Sequence, residues 1–69
     1  MLPDRHIPAG KHIVHIAIEQ SLTGWDVREE LDSRTVHVEH HEDWHRVERA
    51  MDRLEREVCH GVFAVAAHH

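Results

Sequence analysis

The sequence predicts a small α+β domain in which a three- or four-stranded antiparallel sheet carries one amphipathic helix on one face. Three observations lead to this fold class. Apolar and polar residues alternate in three short segments, which is the pattern of half-buried strands. Short connections separate these segments and favour antiparallel neighbours. Apolar residues then recur at helical spacing in the stretch that follows Asp43.

The first strand is predicted over residues 11–19, and both of its faces carry apolar side chains. One face holds Val14, Ile16 and Ile18. The second face holds Ile13, His15 and Ala17. A sheet face that meets water is normally polar. The second face is therefore predicted to be covered by another subunit in a homodimer. The predicted interface residues are Ile13, Ala17, Val62, Phe63 and Val65.

Two more strands are predicted over residues 25–31 and 35–40, with a short turn between them. The alternation of apolar and polar positions indicates which side chains should face the helix. In the third strand this alternation predicts that His37 and Glu39 point toward solvent. The core-facing residues of the two strands are then Trp25, Val27, Leu31, Val36 and Val38.

The helix is the clearest element of the sequence. Asp43 is suited to its start, as the N-cap or in the first turn, because a carboxylate accepts hydrogen bonds from the free N–H groups there. Gly61 is expected to end it, since glycine adopts the left-handed conformation that terminates many helices. The apolar stripe comprises Trp44, Val47, Met51, Leu54 and Val58, with Ala50 beside them.

The chain is predicted to form a single domain over residues 11–67. Residues 1–10 contain two prolines and a glycine and are predicted to be an irregular arm. Residues 62–67 are apolar on both faces, and two alternatives stay open for them: a fourth strand of the same sheet, or a segment buried against a second subunit. Residues 68–69 have the form of a purification-tag remnant and are given no role.

Composition argues against several classes of partner. The formal net charge is −5 and no basic patch is visible, so nucleic-acid binding is not expected. No segment reaches the roughly 18–20 apolar residues that a membrane-spanning helix needs. Cys59 is the single cysteine, which excludes an intrachain disulfide and suits a reducing compartment. The sequence therefore predicts a cytoplasmic protein.

Ten histidines are the most unusual feature of the composition. Some of them cluster where the third strand meets the helix, and imidazole is a preferred ligand of Zn²⁺, Ni²⁺ and Cu²⁺. A metal-binding protein that takes zinc or nickel is therefore the alternative functional hypothesis, and no other cofactor is expected. The candidate metal ligands are His37, Glu39, His41 and His45.

The segment His41-Glu42-Asp43-Trp44-His45 matches the His-Glu-x-x-His pattern of zinc peptidases. In that pattern two imidazoles on one helical face bind Zn²⁺, and the glutamate acts as a general base. Here the helix is predicted to begin near Asp43, so His41 would lie outside it and the required geometry would be lost. Peptidase activity is therefore not expected.

Gly24-Trp25-Asp26-Val27-Arg28 opens the second strand, and matching positions follow at Glu30, Ser33, Val36, His37, Ala50 and Leu54. Over residues 11–57 this pattern resembles small bacterial strand-strand-helix proteins that carry a Gly-Trp-x-Val-basic signature. The resemblance implies a fold and no activity, and it transfers no site residues. Helices of that family are richer in alanine and lysine, and many members end near the helix, so residues 61–67 depart from the pattern.

Taken together, these observations predict a small non-catalytic module for protein–protein interaction or regulation, which acts as a homodimer.

Overall fold

A computed structural model describes residues 2–61 of the chain. Four strands form one antiparallel sheet in the order β1-β2-β3-β4, and a single helix packs against it. The predicted α+β fold class is confirmed. The elements are β1 Asp4–Ala9, β2 His12–Ser21, β3 Gly24–Leu31, β4 Arg34–His41 and α1 Trp44–Cys59.

The prediction of an irregular arm over residues 1–10 is wrong for most of that segment. Residues 4–9 form β1, which pairs with β2 in a register that runs from Asp4 opposite Ala17 to Ala9 opposite His12. Pro8 is tolerated because β1 lies at the edge of the sheet, where a missing N–H need not break a ladder. The predicted strand over residues 62–67 lies outside the described residues.

Each connection between neighbouring elements is two residues long. Between β3 and β4, Asp32 and Ser33 both have positive φ angles, of 50° and 71°, as a tight hairpin turn of type I′ requires. The Asp32 carboxylate accepts a hydrogen bond from the Ile13 backbone N–H at 3.1 Å, which ties this turn to β2.

The core lies between the helix and one face of the sheet, here called the inner face. The predicted apolar stripe of the helix is confirmed as its buried side, apart from the half-buried Trp44. Trp44 meets Trp25 edge to face, with ring centroids 5.3 Å apart. The fully buried apolar residues are Val14, Ile16, Ile18, Val27, Val47, Ala50, Met51, Leu54 and Val58.

The helix begins and ends where the sequence predicts. Asp43 is the N-cap, and its side chain accepts a hydrogen bond from the His45 backbone N–H at 3.0 Å. At the other end, Gly61 has a φ of 76°, and its N–H donates to the Val58 carbonyl at 3.0 Å. Within residues 2–61 no helix is long and apolar enough to cross a membrane.

The predicted orientation of β4 is wrong. His37, Glu39 and His41 pair with the inner-face residues of β3, so they face the helix side of the sheet. Val38 lies on the opposite, outer face and is 53% exposed. The inner face tolerates the Glu39 carboxylate because Arg53 of α1 donates a hydrogen bond to it, and a paired charge is far cheaper to bury than a lone one.

An irregularity in the β3–β4 ladder accompanies this orientation. Glu30 pairs with Thr35 and Glu29 pairs with His37, which leaves Val36 as the extra residue of a β-bulge. One extra residue changes which side chains of a strand reach a given face, because successive side chains alternate between faces.

Candidate functional site

Side chains from three strands meet on the outer face of the sheet, the side away from the helix. His6 of β1 lies directly opposite His15 of β2, and His15 lies directly opposite Glu30 of β3. Asp4 stands two residues before His6 and therefore on the same face. Asp4, His6 and His15 are called the outer-face cluster below.

The outer-face cluster is held together by short contacts. The imidazole rings of His6 and His15 stack with centroids 4.1 Å apart and planes 8° from parallel. His15 Nε2 lies 3.0 Å from a carboxylate oxygen of Asp4. Its other ring nitrogen, Nδ1, lies 3.2 Å from Glu30 Oε1. Both nitrogens of His15 therefore have defined partners.

The Glu30 carboxylate has a positively charged neighbour on its other side. Arg28, two residues earlier on β3, places its Nε 3.0 Å from Glu30 Oε2. The same guanidinium also donates a hydrogen bond to Glu19 of β2. This chain of charges spans the neighbouring strands β2 and β3.

The outer-face cluster has the composition of a group that could hold a metal ion. Its three donor atoms, two imidazole nitrogens and one carboxylate oxygen, all lie within 4.8 Å of one another. In the part of the chain that the structure describes, no other group of three or more His, Cys, Asp or Glu residues has this spacing. Nitrogen and oxygen donors of this kind suit Zn²⁺, Ni²⁺ and Cu²⁺.

Sequence reasoning missed this cluster because it assigned no strand to residues 4–9. A usable signal was present. A two-residue turn at Gly10 and Lys11 would pair residues equally far from it on either side, which places His6 against His15. Asp4 then follows from the two-residue period of a strand face.

Three of the four metal ligands predicted from the sequence come together around one carboxylate. The Nε2 atoms of His37 and His41 lie 2.6 Å and 2.7 Å from the two oxygens of Glu39, to which they donate. His45 does not join them. Its side chain is 83% exposed and lies 3.9 Å from Glu48 on the helix surface.

Glu39 is the centre of this second group, and its hydrogen bonds decide its ionisation. Burial alone would raise the pKa of Glu39, but hydrogen bonds from His37 and His41 and the charge of Arg53 outweigh burial. The pKa of Glu39 therefore lies below its ordinary value. The negative charge is favoured in the folded protein, where it joins the edge strand to the helix.

Glu39→Gln is expected to lower the free energy of unfolding by about 1–3 kcal/mol at pH 7, because charge-assisted hydrogen bonds are lost from a mostly buried group. Since the pKa of Glu39 is lowered, its contribution is present above the ordinary value of 4.5 and is lost as the pH falls toward the lowered pKa. The two proteins should therefore converge in acid.

Urea unfolding at pH 7 and at about pH 3 measures this difference. The exposed Glu42, which follows β4, supplies the control, since Glu42→Gln should leave the stability unchanged. Equal unfolding midpoints for wild type and Glu39→Gln at pH 7 would show that the carboxylate does not hold the strand to the helix.

Glu29 is the buried polar residue of the core and was not singled out by the sequence. It is 2% exposed, lies between Ile16 and His37 in the ladder, and its Oε2 has no hydrogen-bond partner among the described residues. Burial raises its pKa. Of the neighbouring charges, His37 and Arg53 oppose this rise, whereas Glu57 and Glu39 add to it. Folding therefore makes the Glu29 carboxyl easier to protonate than it is in the unfolded chain.

The His-Glu-x-x-His segment does not adopt the single-helix geometry of the zinc-peptidase pattern. His41 is the last residue of β4, whereas His45 lies in the first turn of α1. The two imidazoles therefore do not share a helical face. This agrees with the prediction that His41 lies outside the helix. His41 instead borders an open surface depression of about 500 Å³ at the junction of strand and helix.

The residues of the predicted homodimer interface are only partly within the described structure. Ile13 and Ala17 lie on the outer face, where Ile13 is 50% exposed and Ala17 is half-buried. The half-buried His15 of the outer-face cluster separates them. The other three predicted interface residues, Val62, Phe63 and Val65, lie outside residues 2–61.

The two polar groups of the sheet differ in what they can do chemically. Glu39 already accepts hydrogen bonds from three donors and therefore serves to join structural elements. The outer-face cluster contains two exposed side chains, Asp4 and His6, whose donor atoms are accessible to a dissolved cation. No protein-family model, curated protein or solved structure matches this chain.

Proposed function

We propose that the protein is a non-catalytic interaction module that forms a homodimer by pairing β4 with β4 of a second copy. The observation that carries this proposal is the open edge of the sheet. β4 is eight residues long and has a neighbouring strand on one side only among residues 2–61. Unpaired N–H and C=O groups along such an edge are a template for strand addition.

The opposite edge is less suited to the same role. β1 has six residues and contains Pro8, which has no N–H to donate to a partner strand. Prolines and short strands are common means of preventing association at sheet edges. β4 contains no proline and is the longer of the two edges.

The sequence of β4 is self-complementary when two copies pair antiparallel about Val38. Val38 then faces Val38 of the second copy on the outer face, where an exposed apolar side chain gains a partner. On the inner face, His37 lies opposite Glu39 of the second copy, and the same pair occurs again by symmetry. The Val38 pair supplies an apolar contact between the two strands, and His37 and Glu39 meet without like charges directly opposite each other.

Such a dimer would have a continuous eight-stranded sheet with both helices on one side. The twofold pairing leaves the outer faces of the two copies side by side, as one surface that a further protein can bind. The single cysteine and the net negative charge support a cytoplasmic protein partner over a nucleic acid.

Val38→Lys is expected to convert the dimer to a monomer, because a lysine on an edge strand opposes pairing by charge repulsion and by its hydrated ammonium group. Multi-angle light scattering at high micromolar concentration measures the molar mass. The matched control is Ile13→Lys, which introduces the same charge at an equally exposed apolar position on an interior strand.

Three results contradict the proposal in different ways. A monomeric wild-type protein at high micromolar concentration would remove the homodimer altogether. Dissociation by Ile13→Lys but not by Val38→Lys would place the interface on the outer face, as Ile13 and Ala17 suggest from the sequence. A dimer that persists in both variants would require an interface elsewhere.

A further inference from the structure

We propose that Asp4, His6 and His15 bind a divalent transition metal, with Zn²⁺ or Ni²⁺ as the chemical class that fits best. The inference is independent of the dimer, because all three ligands belong to one copy and none lies on β4. The proposal gives the outer-face cluster a role. The contacts of the cluster within the described residues do not by themselves indicate one.

The strand pairing fixes the backbone positions of the three ligands. His6 and His15 are direct cross-strand partners. Asp4 lies two residues before His6 on β1 and therefore on the same face of the sheet. Ligands built on paired strands are held more precisely than ligands on loops. The site therefore needs side-chain rotation alone, with no movement of the backbone.

The donor spacing is within reach of a metal geometry. Two ligands of a tetrahedral Zn²⁺ at 2.0–2.1 Å from the ion lie about 3.3 Å apart. The donor atoms of the cluster lie within 4.8 Å before any ion is bound. Asp4 and His6 are exposed, so their side chains can rotate at low cost and bring their donor atoms closer to His15 Nε2.

His15 has the second-shell partner that metal-binding histidines usually possess. Its Nδ1 faces Glu30, so an N–H at that position donates to the carboxylate and directs Nε2 toward Asp4 and the ion. The Arg28 guanidinium forms an ion pair with the other oxygen of Glu30, Oε2. In the metal-bound form the ion would lie between His15 Nε2 and Asp4, with Nε2 unprotonated as a ligating imidazole nitrogen must be.

The site is open to solution on one side. A surface depression of about 370 Å³ borders His6 and His15 and gives an ion a path to the donors. Three protein ligands leave at least one coordination position of Zn²⁺ for water or for a group from another molecule. Asp4 and Glu30 add negative charge close to the ion, which favours a cation over an anion.

Isothermal titration with Zn²⁺ alone, and separately with Ni²⁺, tests the site on the full chain. We expect one metal per chain with a Kd of about 1 μM or lower for at least one of the two ions. His6→Ala and Asp4→Asn should each weaken this binding about tenfold or more. Both residues are exposed, so circular dichroism should show an unchanged fold in both variants.

His41→Ala is the matched control, because it removes a histidine of the Glu39 group from the other face of the sheet. Histidines at 60, 68 and 69 stay in every variant, so any weak binding there is common to all. Wild-type Kd values above about 10 μM for both metals would overturn the proposal. So would an affinity unchanged by His6→Ala and Asp4→Asn, or one that falls with His41→Ala instead.

Discussion

Glu29→Met is expected to raise the free energy of unfolding by about 1–3 kcal/mol at pH 7, because it replaces a buried, unpartnered carboxyl with an apolar side chain of similar length. Glu29 is 2% exposed, and its Oε2 has no hydrogen-bond partner in residues 2–61. Methionine is flexible enough to fill such a site without forcing its neighbours apart.

The gain should depend on pH with a definite sign. Because burial holds the pKa of Glu29 above its ordinary value of 4.5, the folded state binds the proton more tightly than the unfolded state. Stability from this group is therefore full below pH 4.5 and declines as the pH rises through the raised pKa. The advantage of Glu29→Met should widen over that range, as urea unfolding between about pH 4 and pH 8 would measure.

Glu30→Met is the matched control, since it makes the same change one residue along the same strand. Glu30 lies on the outer face, and its carboxylate pairs with His15 and Arg28. Its replacement should leave stability unchanged or lower it at pH 7, because paired surface charges contribute little and are lost in the variant. A Glu29→Met protein less stable than wild type at pH 7 would show that the buried carboxyl has a stabilising partner.

Gly24→Ala is expected to destabilise the fold by about 3 kcal/mol or more. Gly24 has a φ of 152°, a backbone angle that residues with a Cβ rarely adopt. A Cβ at this position would also lie 2.8 Å from the Glu42 Cα and still closer to the His41 carbonyl oxygen. Because these contacts are with backbone, they cannot be relieved by rotating a side chain.

Gly10→Ala separates conformational strain from steric overlap. Gly10 also has a positive φ, of 65°, but no atom lies within 4 Å of an added Cβ. Its replacement should cost about 1 kcal/mol. Thermal unfolding followed by circular dichroism compares the two variants, and equal midpoints would show that the end of β4 does not pack against Gly24 as described.

The helix could be predicted from the sequence because each of its signals is local. The apolar stripe, the cap at Asp43 and the terminating Gly61 need no knowledge of the sheet. The fold class follows for a similar reason, since short connections leave few ways to arrange three alternating segments. Those predictions depend on periodicity and on turn chemistry, which are properties of neighbouring residues.

β1 and the orientation of β4 could not be predicted in the same way. Proline and glycine make residues 1–10 resemble a loop, and the edge position that tolerates Pro8 is known only once the sheet exists. In β4, hydrophobicity alone would turn Val38 inward. The observed face depends on a bulge at Val36 and on Arg53, which comes from a distant element.

The outer-face cluster was missed for a related reason. Asp4, His6 and His15 become neighbours only through the register of β1 on β2. The ligands predicted from the sequence were chosen by closeness along the chain. The structure brings His37 and His41 to Glu39 and leaves His45 apart on the helix surface. Neighbours on different strands can be predicted only when the register between the strands is known. The register can be predicted only when both strands have been assigned.

The two-residue connections have a consequence for how the chain folds. Every strand pairs with the strand next to it along the sequence, so most native contacts close short stretches of backbone. Contacts between strands that are neighbours in the sequence close shorter loops than contacts between distant strands, and therefore favour faster folding. The contact that spans most of the described chain, from Arg5 of β1 to Asp52 and Glu55 of α1, closes a long loop, and we infer that it forms late.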